Sequence, residues 1–131
     1  MDAKRVVVAD DEPHIRHVLE LKLSKAGLHV LTAADGEEAL ELCRGERPDL
    51  VISDYQMPAM SGLDLCRELA REPATATVPV IMLTARGFDM TQEDRADTNI
   101  VLIMSKPFSP AEVLQKALGL LGEVPTAARV P

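Results

Sequence analysis

Five short apolar runs, each rich in β-branched residues, alternate with segments of helical periodicity along this sequence. The runs are Arg5–Ala9, His29–Ala33, Leu50–Ser53, Val80–Leu83 and Ile100–Met104. Continuous apolar runs of this length are typical of strands that are buried on both faces, as in a parallel sheet. The helical patterns cover about Pro13–Ala26, Gly36–Arg44, Gly62–Arg71 and Pro110–Leu121. The regular alternation predicts an α/β fold with a five-stranded parallel sheet and right-handed crossovers.

The stretch Arg86–Asn99 is polar and carries only three apolar anchors, Phe88, Met90 and Ala96. It predicts a short, loosely held fifth helix. The chain has 131 residues, which fits one domain. We therefore expect a domain over residues 1–122 and a flexible C-terminal tail over residues 123–131, where two prolines and little periodicity occur.

The charge and the two cysteines limit the classes of function. The net charge is −7, which argues against direct nucleic-acid binding and against docking to an anionic membrane. No apolar run approaches the roughly 18 residues that span a bilayer, and no secretion signal opens the chain. Cys43 and Cys66 fall at apolar helical positions, so we expect buried, reduced thiols. Together these features predict a cytoplasmic protein.

Polar side chains follow four of the five predicted strands. They are Asp10 and Asp11 after the first strand, Asp54 after the third, Thr84 after the fourth and Lys106 after the fifth. The carboxyl ends of parallel strands share one edge, so these groups should converge there. Like charges about 4 Å apart repel by about 4 kcal/mol at an effective dielectric constant near 20. A hard divalent cation relieves such repulsion, and oxygen ligands suit Mg²⁺.

The converging groups indicate phosphoryl chemistry. No Ser-His-Asp or Cys-His arrangement is placed to form a nucleophile in this sequence. A carboxylate beside Mg²⁺ can attack phosphorus and form an acyl phosphate. Asp54, on the central strand of the cluster, is the predicted nucleophile. Thr84 would hydrogen-bond a phosphoryl oxygen, and Lys106 would stabilise the phosphoryl charge.

Four motifs on the predicted strand ends resemble the receiver domain of bacterial response regulators (CheY-like), over roughly Lys4 to Leu121. They are Val6-Val7-Val8-Ala9-Asp10-Asp11-Glu12-Pro13, Asp54-Tyr55-Gln56-Met57-Pro58 followed by Gly62, Leu83-Thr84-Ala85, and Lys106-Pro107-Phe108. The resemblance implies a flavodoxin-like, doubly wound sheet with strand order 2-1-3-4-5 and five helices in a three-layer α/β/α sandwich.

The resemblance also implies roles for single residues. Asp54 is similar to the phosphoacceptor, which receives its group from a sensor histidine kinase, a histidine phosphotransfer protein or a small acyl phosphate. Asp11, Asp54 and the backbone carbonyl of Gln56 resemble the Mg²⁺ ligands, and Asp10 resembles the outer-shell acid. Thr84 and Lys106 resemble the switch hydroxyl and the phosphate-binding lysine. A cis Lys106–Pro107 peptide bond is also expected.

Two positions depart from the receiver pattern. Ile103 stands where receivers usually place an aromatic residue, and Asp97-Thr98-Asn99 replaces the usual Gly-Ala-Asp. We expect phosphorylation to survive both changes, whereas the route to a partner differs. His14 and His17, three residues apart, are interpreted as a solvated helix face because no further metal ligand is near in the pattern.

No second domain is evident in the sequence, so we expect a stand-alone receiver of a phosphorelay. It would signal through contacts with a downstream protein effector and would catalyse only its own phosphorylation and dephosphorylation. The main alternative is a phosphorylation-independent pseudo-receiver that serves as an interaction module. A haloacid-dehalogenase-type hydrolase needs a second acid where Gln56 stands, and a flavodoxin needs phosphate-binding donors where Asp10-Asp11-Glu12-Pro13 stands.

Overall fold

The computed structural model describes residues 3–85 and 90–122 and shows five strands and five helices in these ranges. The strands are β1 (Arg5–Ala9), β2 (His29–Ala33), β3 (Leu50–Asp54), β4 (Val80–Thr84) and β5 (Ile100–Ser105). The helices are α1 (Pro13–Lys25), α2 (Gly36–Glu46), α3 (Gly62–Arg71), α4 (Gln92–Ala96) and α5 (Pro110–Leu121). All neighbouring strands are parallel, in the order β2-β1-β3-β4-β5. The predicted fold class and strand order are confirmed.

The strand residues divide the core into two halves by their alternation. On one face of the sheet, Val7 and Val51 pack in the same buried cluster as Cys43 of α2 and Leu65 of α3. The opposite face, against α1 and α5, buries Val6, Val8, Leu19, Leu23, Ile52, Ile81, Val113 and Leu118. The sheet is therefore covered on both faces, which explains why its strands read as continuous apolar runs.

Three strands reach one residue beyond the predicted ends. β3 includes Asp54, which pairs with Leu83 in the ladder between β3 and β4. β4 likewise includes Thr84, opposite Ser105 of β5. The reason is that backbone pairing does not depend on side-chain polarity, so the ladder continues past the last apolar residue. Asp54 and Thr84 thus stand on the sheet itself, with the positional precision of a strand.

The helix starts follow the predicted capping signals. The Asp35 side chain accepts a hydrogen bond from the Glu38 N–H at 2.8 Å, and that of Ser109 accepts one from the Glu112 N–H at 3.4 Å. Each cap satisfies a backbone donor that has no partner within its helix. The third predicted feature, Pro110 at the first turn of α5, is also present.

The predicted short helix in Arg86–Asn99 is α4, whose five residues include no buried side chain. Met90, just before it, is buried in the core cluster on the α2–α3 face. Residues 86–89, including Phe88, lie outside the described residues, as does the predicted tail over 123–131. Within the described ranges, no helix combines the length and the apolar character that a membrane span requires.

Both cysteines are free and buried, as predicted. Burial raises the pKa of each thiol, Cys43 and Cys66, to about 12. The thiols are therefore protonated at neutral pH and behave as small apolar side chains of the core.

Candidate functional site

The carboxyl ends of four strands open into one cleft of about 390 Å³. Its lining comprises Asp11, Glu12, Asp54, Tyr55, Gln56, Thr84, Ala85 and Lys106. Asp10 lies beneath the same cleft, fully buried, and contacts Lys106. The structure thus brings together every residue that the sequence predicts for the site. β2, whose end carries no predicted polar group, contributes nothing to the lining.

Lys106 is the centre of the charge arrangement. Its Nζ lies 3.0 Å from Asp54 Oδ1, 3.3 Å from Asp10 Oδ2 and 3.6 Å from Glu12 Oε1. The Lys106 N–H donates to the carbonyl of Thr84 at 2.8 Å, which ties the residue after β5 to the end of β4. The Lys106–Pro107 peptide bond is cis, as the family resemblance predicts. One ammonium group therefore faces three carboxylates.

Burial and charge act in opposite directions on these groups. Burial raises the pKa of Asp10 and of Asp54 above the usual range, and the charge of Lys106 offsets part of this effect. Burial alone would lower the pKa of Lys106. The hydrogen bond to Asp54 and the charges of Asp10 and Asp54 outweigh it and raise that pKa. The carboxylates consequently remain short of positive charge, because one ammonium cannot neutralise them all.

The first loop holds the oxygen atoms that suit a metal ion. Carboxylate oxygens of Asp10, Asp11 and Glu12 all lie within 4.8 Å of one another. Such a set of hard oxygen donors, with unbalanced negative charge, fits a divalent cation of the Mg²⁺ type. His14 and His17 are both solvent-exposed, as predicted. Across residues 3–85 and 90–122, the acidic group is the one cluster with metal-ligand spacing.

Glu12 was absent from the predicted site, although its carboxylate lies near Lys106 and belongs to the acidic group. Its position directly after Asp10-Asp11 was the available signal. The side chain is exposed at the rim of the cleft, where acidic residues commonly stay solvated. Only the distance to Lys106, which comes from the other end of the chain, places it in the cluster.

Gly62 is placed by a close approach of two backbones. A Cβ atom built at this position would collide with the backbone carbonyl oxygen of Asp54. The Gly62 N–H donates to the carbonyl of Tyr55 at 2.8 Å, and Ser61 caps α3 by accepting from the Asp64 N–H. The tight entry to α3 that the sequence suggests for Gly62 therefore occurs directly behind the predicted phosphoacceptor.

Thr84 is buried at the end of β4, and Ile103 of β5 is half-buried. The Ile103 side chain packs against the apolar cluster that contains Met82 and Met90. At the position where receivers usually carry an aromatic residue, this chain therefore joins the core through an aliphatic contact.

The match to a known family covers almost the whole chain. Residues 6–118 match the response regulator receiver domain. The chain belongs to this family. Receiver domains bind Mg²⁺ at an acidic site and are phosphorylated by histidine kinases, and they are not enzymes beyond their own phosphorylation. This membership argues against both the hydrolase and the flavin carrier.

Individual relatives agree with the assignment of this receiver. The probable transcriptional regulator ycf27 of Cyanophora paradoxa is 43% identical over 126 residues, which cover 92% of this chain and 49% of the relative. This receiver spans about half the length of the curated relatives it matches. Among solved structures, response regulator TrrA of Thermotoga maritima, in complex with Mg²⁺-BeF, is 33% identical. The match covers 89% of this chain and 98% of TrrA, with a TM-score of 0.78.

A second solved structure contains the metal. It is the receiver domain of a sensor histidine kinase from Pseudomonas aeruginosa, with a magnesium ion coordinated in the active-site cleft. It is 26% identical to this chain, covers 92% of it with 99% of its own length, and has a TM-score of 0.82.

Proposed function

We propose that this receiver accepts a phosphoryl group on Asp54 in a Mg²⁺-dependent reaction and signals its state to a protein partner. The observation that supports this most strongly is the position of Asp54. Its carboxylate lines the cleft, and the Lys106 ammonium lies 3.0 Å from its Oδ1. An incoming phosphoryl group at Asp54 would therefore meet a positive charge that is already in place.

The proposed step is a displacement at phosphorus. A carboxylate oxygen of Asp54 forms a bond to phosphorus, while the bond from phosphorus to the donor nitrogen of a phosphohistidine, or to the donor oxygen of an acyl phosphate, breaks. The leaving group takes the electron pair, and the product is an aspartyl phosphate. Lys106 pairs with the phosphoryl oxygens, and the Thr84 hydroxyl donates a hydrogen bond to one of them.

Asp10, Asp11, Asp54 and the backbone carbonyl of Gln56 would hold the metal ion. When bound, Mg²⁺ supplies positive charge that offsets the carboxylates and the phosphoryl oxygens. The donor set supports this assignment, because the acidic oxygens of the first loop cluster beside a buried Asp54. Asp10, which is fully buried, would act on the metal through water.

The proposed phosphoryl donor is a sensor histidine kinase or a histidine phosphotransfer protein, and the proposed output is a contact with a downstream protein. The net charge of −7 supports a protein partner over direct binding to nucleic acid. A phosphorylation-independent pseudo-receiver would share the fold but would leave Lys106 and its three carboxylates without a reaction.

Incubation with Mg²⁺ and acetyl phosphate is expected to raise the intact mass by one phosphoryl group, because the cleft presents Asp54 to a small donor. Intact-protein mass spectrometry measures the gain, and an excess of EDTA should prevent it. Phosphoramidate serves as a second donor with a nitrogen leaving group. No mass gain with either donor would favour the pseudo-receiver.

Mg²⁺ is expected to raise the midpoint of thermal unfolding, because a ligand that binds only the folded state stabilises it. Asp11→Asn should lose most of this rise while its stability in EDTA stays near that of the wild type, since Asp11 is exposed. Asp64→Asn, which changes an exposed carboxylate on α3, is the matched control and should keep the full rise. Equal Mg²⁺ effects in Asp11→Asn and Asp64→Asn would contradict the assigned ligand set. Thermal melts followed by circular dichroism decide between these results.

A further inference from the structure

Asp10 is held at four polar atoms by four different parts of the chain. Its N–H donates to the carbonyl of Ala33 at the end of β2, at 3.1 Å. Its Oδ1 accepts from the Glu12 N–H at 2.9 Å, and its Oδ2 accepts from the Lys106 ammonium at 3.3 Å. Its backbone carbonyl accepts from the Arg16 guanidinium at 2.7 Å. The orientation of this buried residue therefore depends on contacts beyond the cleft.

The Arg16 contact is the one that comes from α1. Arg16 lies in the first turns of the helix, where its own N–H donates to the carbonyl of Glu12 at 3.2 Å. Its side chain returns across the β1–α1 loop and reaches the last residue before that loop. One arginine therefore bonds to both ends of the three-residue segment Asp10-Asp11-Glu12, which carries the acidic cluster.

The bond acts through geometry rather than through direct charge pairing. In the described ranges, none of the ion pairs within 4.0 Å involves Arg16. Its acceptor is the carbonyl of Asp10, a residue with no exposed surface, so water cannot readily replace the donor. A bond from a charged donor is also shorter and stronger than one between neutral groups.

We propose that Arg16 is a positioning residue for the metal site. It holds the Asp10 carbonyl, and thereby the carboxylates of Asp10, Asp11 and Glu12, in the arrangement that receives Mg²⁺. The metal part of this inference rests on the proposed function, whereas the effect on the loop does not. Groups that orient metal ligands from behind typically change metal affinity by roughly ten-fold or more when they are removed.

Arg5 offers a matched control, because it makes the same kind of bond away from the cleft. Its guanidinium donates to the backbone carbonyl of Glu46 at 2.8 Å, at the opposite end of β1. Arg16→Met and Arg5→Met each remove one bond from a guanidinium to a carbonyl. Arg16→Lys keeps a positive donor on the same helix position and tests for partial rescue.

Two measurements test the proposal at a temperature where all variants are folded by circular dichroism. Calorimetric titration with MgCl₂ should show roughly ten-fold weaker binding in Arg16→Met, partial recovery in Arg16→Lys and wild-type affinity in Arg5→Met. Amide hydrogen exchange in EDTA should be faster at Glu12 in Arg16→Met than in the wild type, and unchanged at Val7 within β1. Arg5→Met should leave the exchange at Glu12 unchanged.

Wild-type Mg²⁺ affinity in Arg16→Met, with only a lower unfolding midpoint, would overturn the positioning role. Unchanged exchange at Glu12 in that variant would overturn it as well. A wild-type protein that binds no Mg²⁺ would instead contradict the proposed function. In that case the exchange at Glu12 still decides whether Arg16 holds the loop.

Discussion

Asp54→Asn is expected to abolish phosphoryl uptake from acetyl phosphate while the protein stays folded. Asparagine has nearly the same shape, but its amide cannot attack phosphorus as a carboxylate does. The change removes the partner of Lys106 at 3.0 Å, yet it also removes a charge whose burial is unfavourable, as the raised pKa of Asp54 shows. The effect on stability should therefore be small compared with the loss of reaction.

Intact-protein mass spectrometry gives the extent of phosphorylation, and thermal melts in EDTA give the stability of each variant. Asp64→Asn is the matched control, because it removes an exposed carboxylate at the start of α3 and should be phosphorylated like the wild type. A mass gain of wild-type size in Asp54→Asn would move the acceptor to another residue, with Asp10 and Asp11 the next to test.

Gly62→Ala is expected to destabilise the protein by about 1–3 kcal/mol, as overpacking of a well-packed region typically does. The added methyl group would collide with the carbonyl oxygen of Asp54, which is backbone and cannot turn aside as a flexible side chain can. Relief of the collision requires α3 to move away from β3. Because that movement displaces Asp54 itself, phosphoryl uptake should slow in the fraction that remains folded.

Gly119→Ala is the matched control for this substitution. Gly119 lies within α5, and a Cβ atom built there meets no atom within 4 Å. Alanine at an open helical position should stabilise the protein by about 0.5–1 kcal/mol, since it lowers the entropy of the unfolded chain. Denaturant unfolding of both variants measures the difference. If Gly62→Ala were as stable as Gly119→Ala, the two backbones would not be as close as the structure shows.

The caps and the strand limits illustrate how far local patterns extend. The caps at Asp35 and Ser109 follow the predicted signals because a cap involves only residues three positions apart. The end of α2 at Glu46 lies two residues beyond the predicted Arg44. Gly45 within its last turn weakens the periodic pattern, but the helix continues to a left-handed residue, Arg47, which ends it.

The sequence by itself determined the order of strands and helices, the parallel sheet and the set Asp10, Asp11, Asp54, Thr84 and Lys106. Periodicity depends on near neighbours, and parallel strands must end at one edge, so these features follow from local patterns. Only the tertiary structure decided the distances between these groups. Lys106 and Asp10 are 96 residues apart in the chain, yet their side chains are 3.3 Å apart.

The tertiary structure also decided the supporting contacts of Glu12, Arg16 and Gly62. Each of them depends on where a loop or a helix lies relative to the sheet, and no periodic pattern encodes that placement. An arginine on a helix face is ordinarily a solvated residue, and nothing in the sequence shows that Arg16 turns back to the carbonyl of Asp10. The chemistry of the site is therefore encoded in residue type and order, whereas its geometry arises from long-range packing.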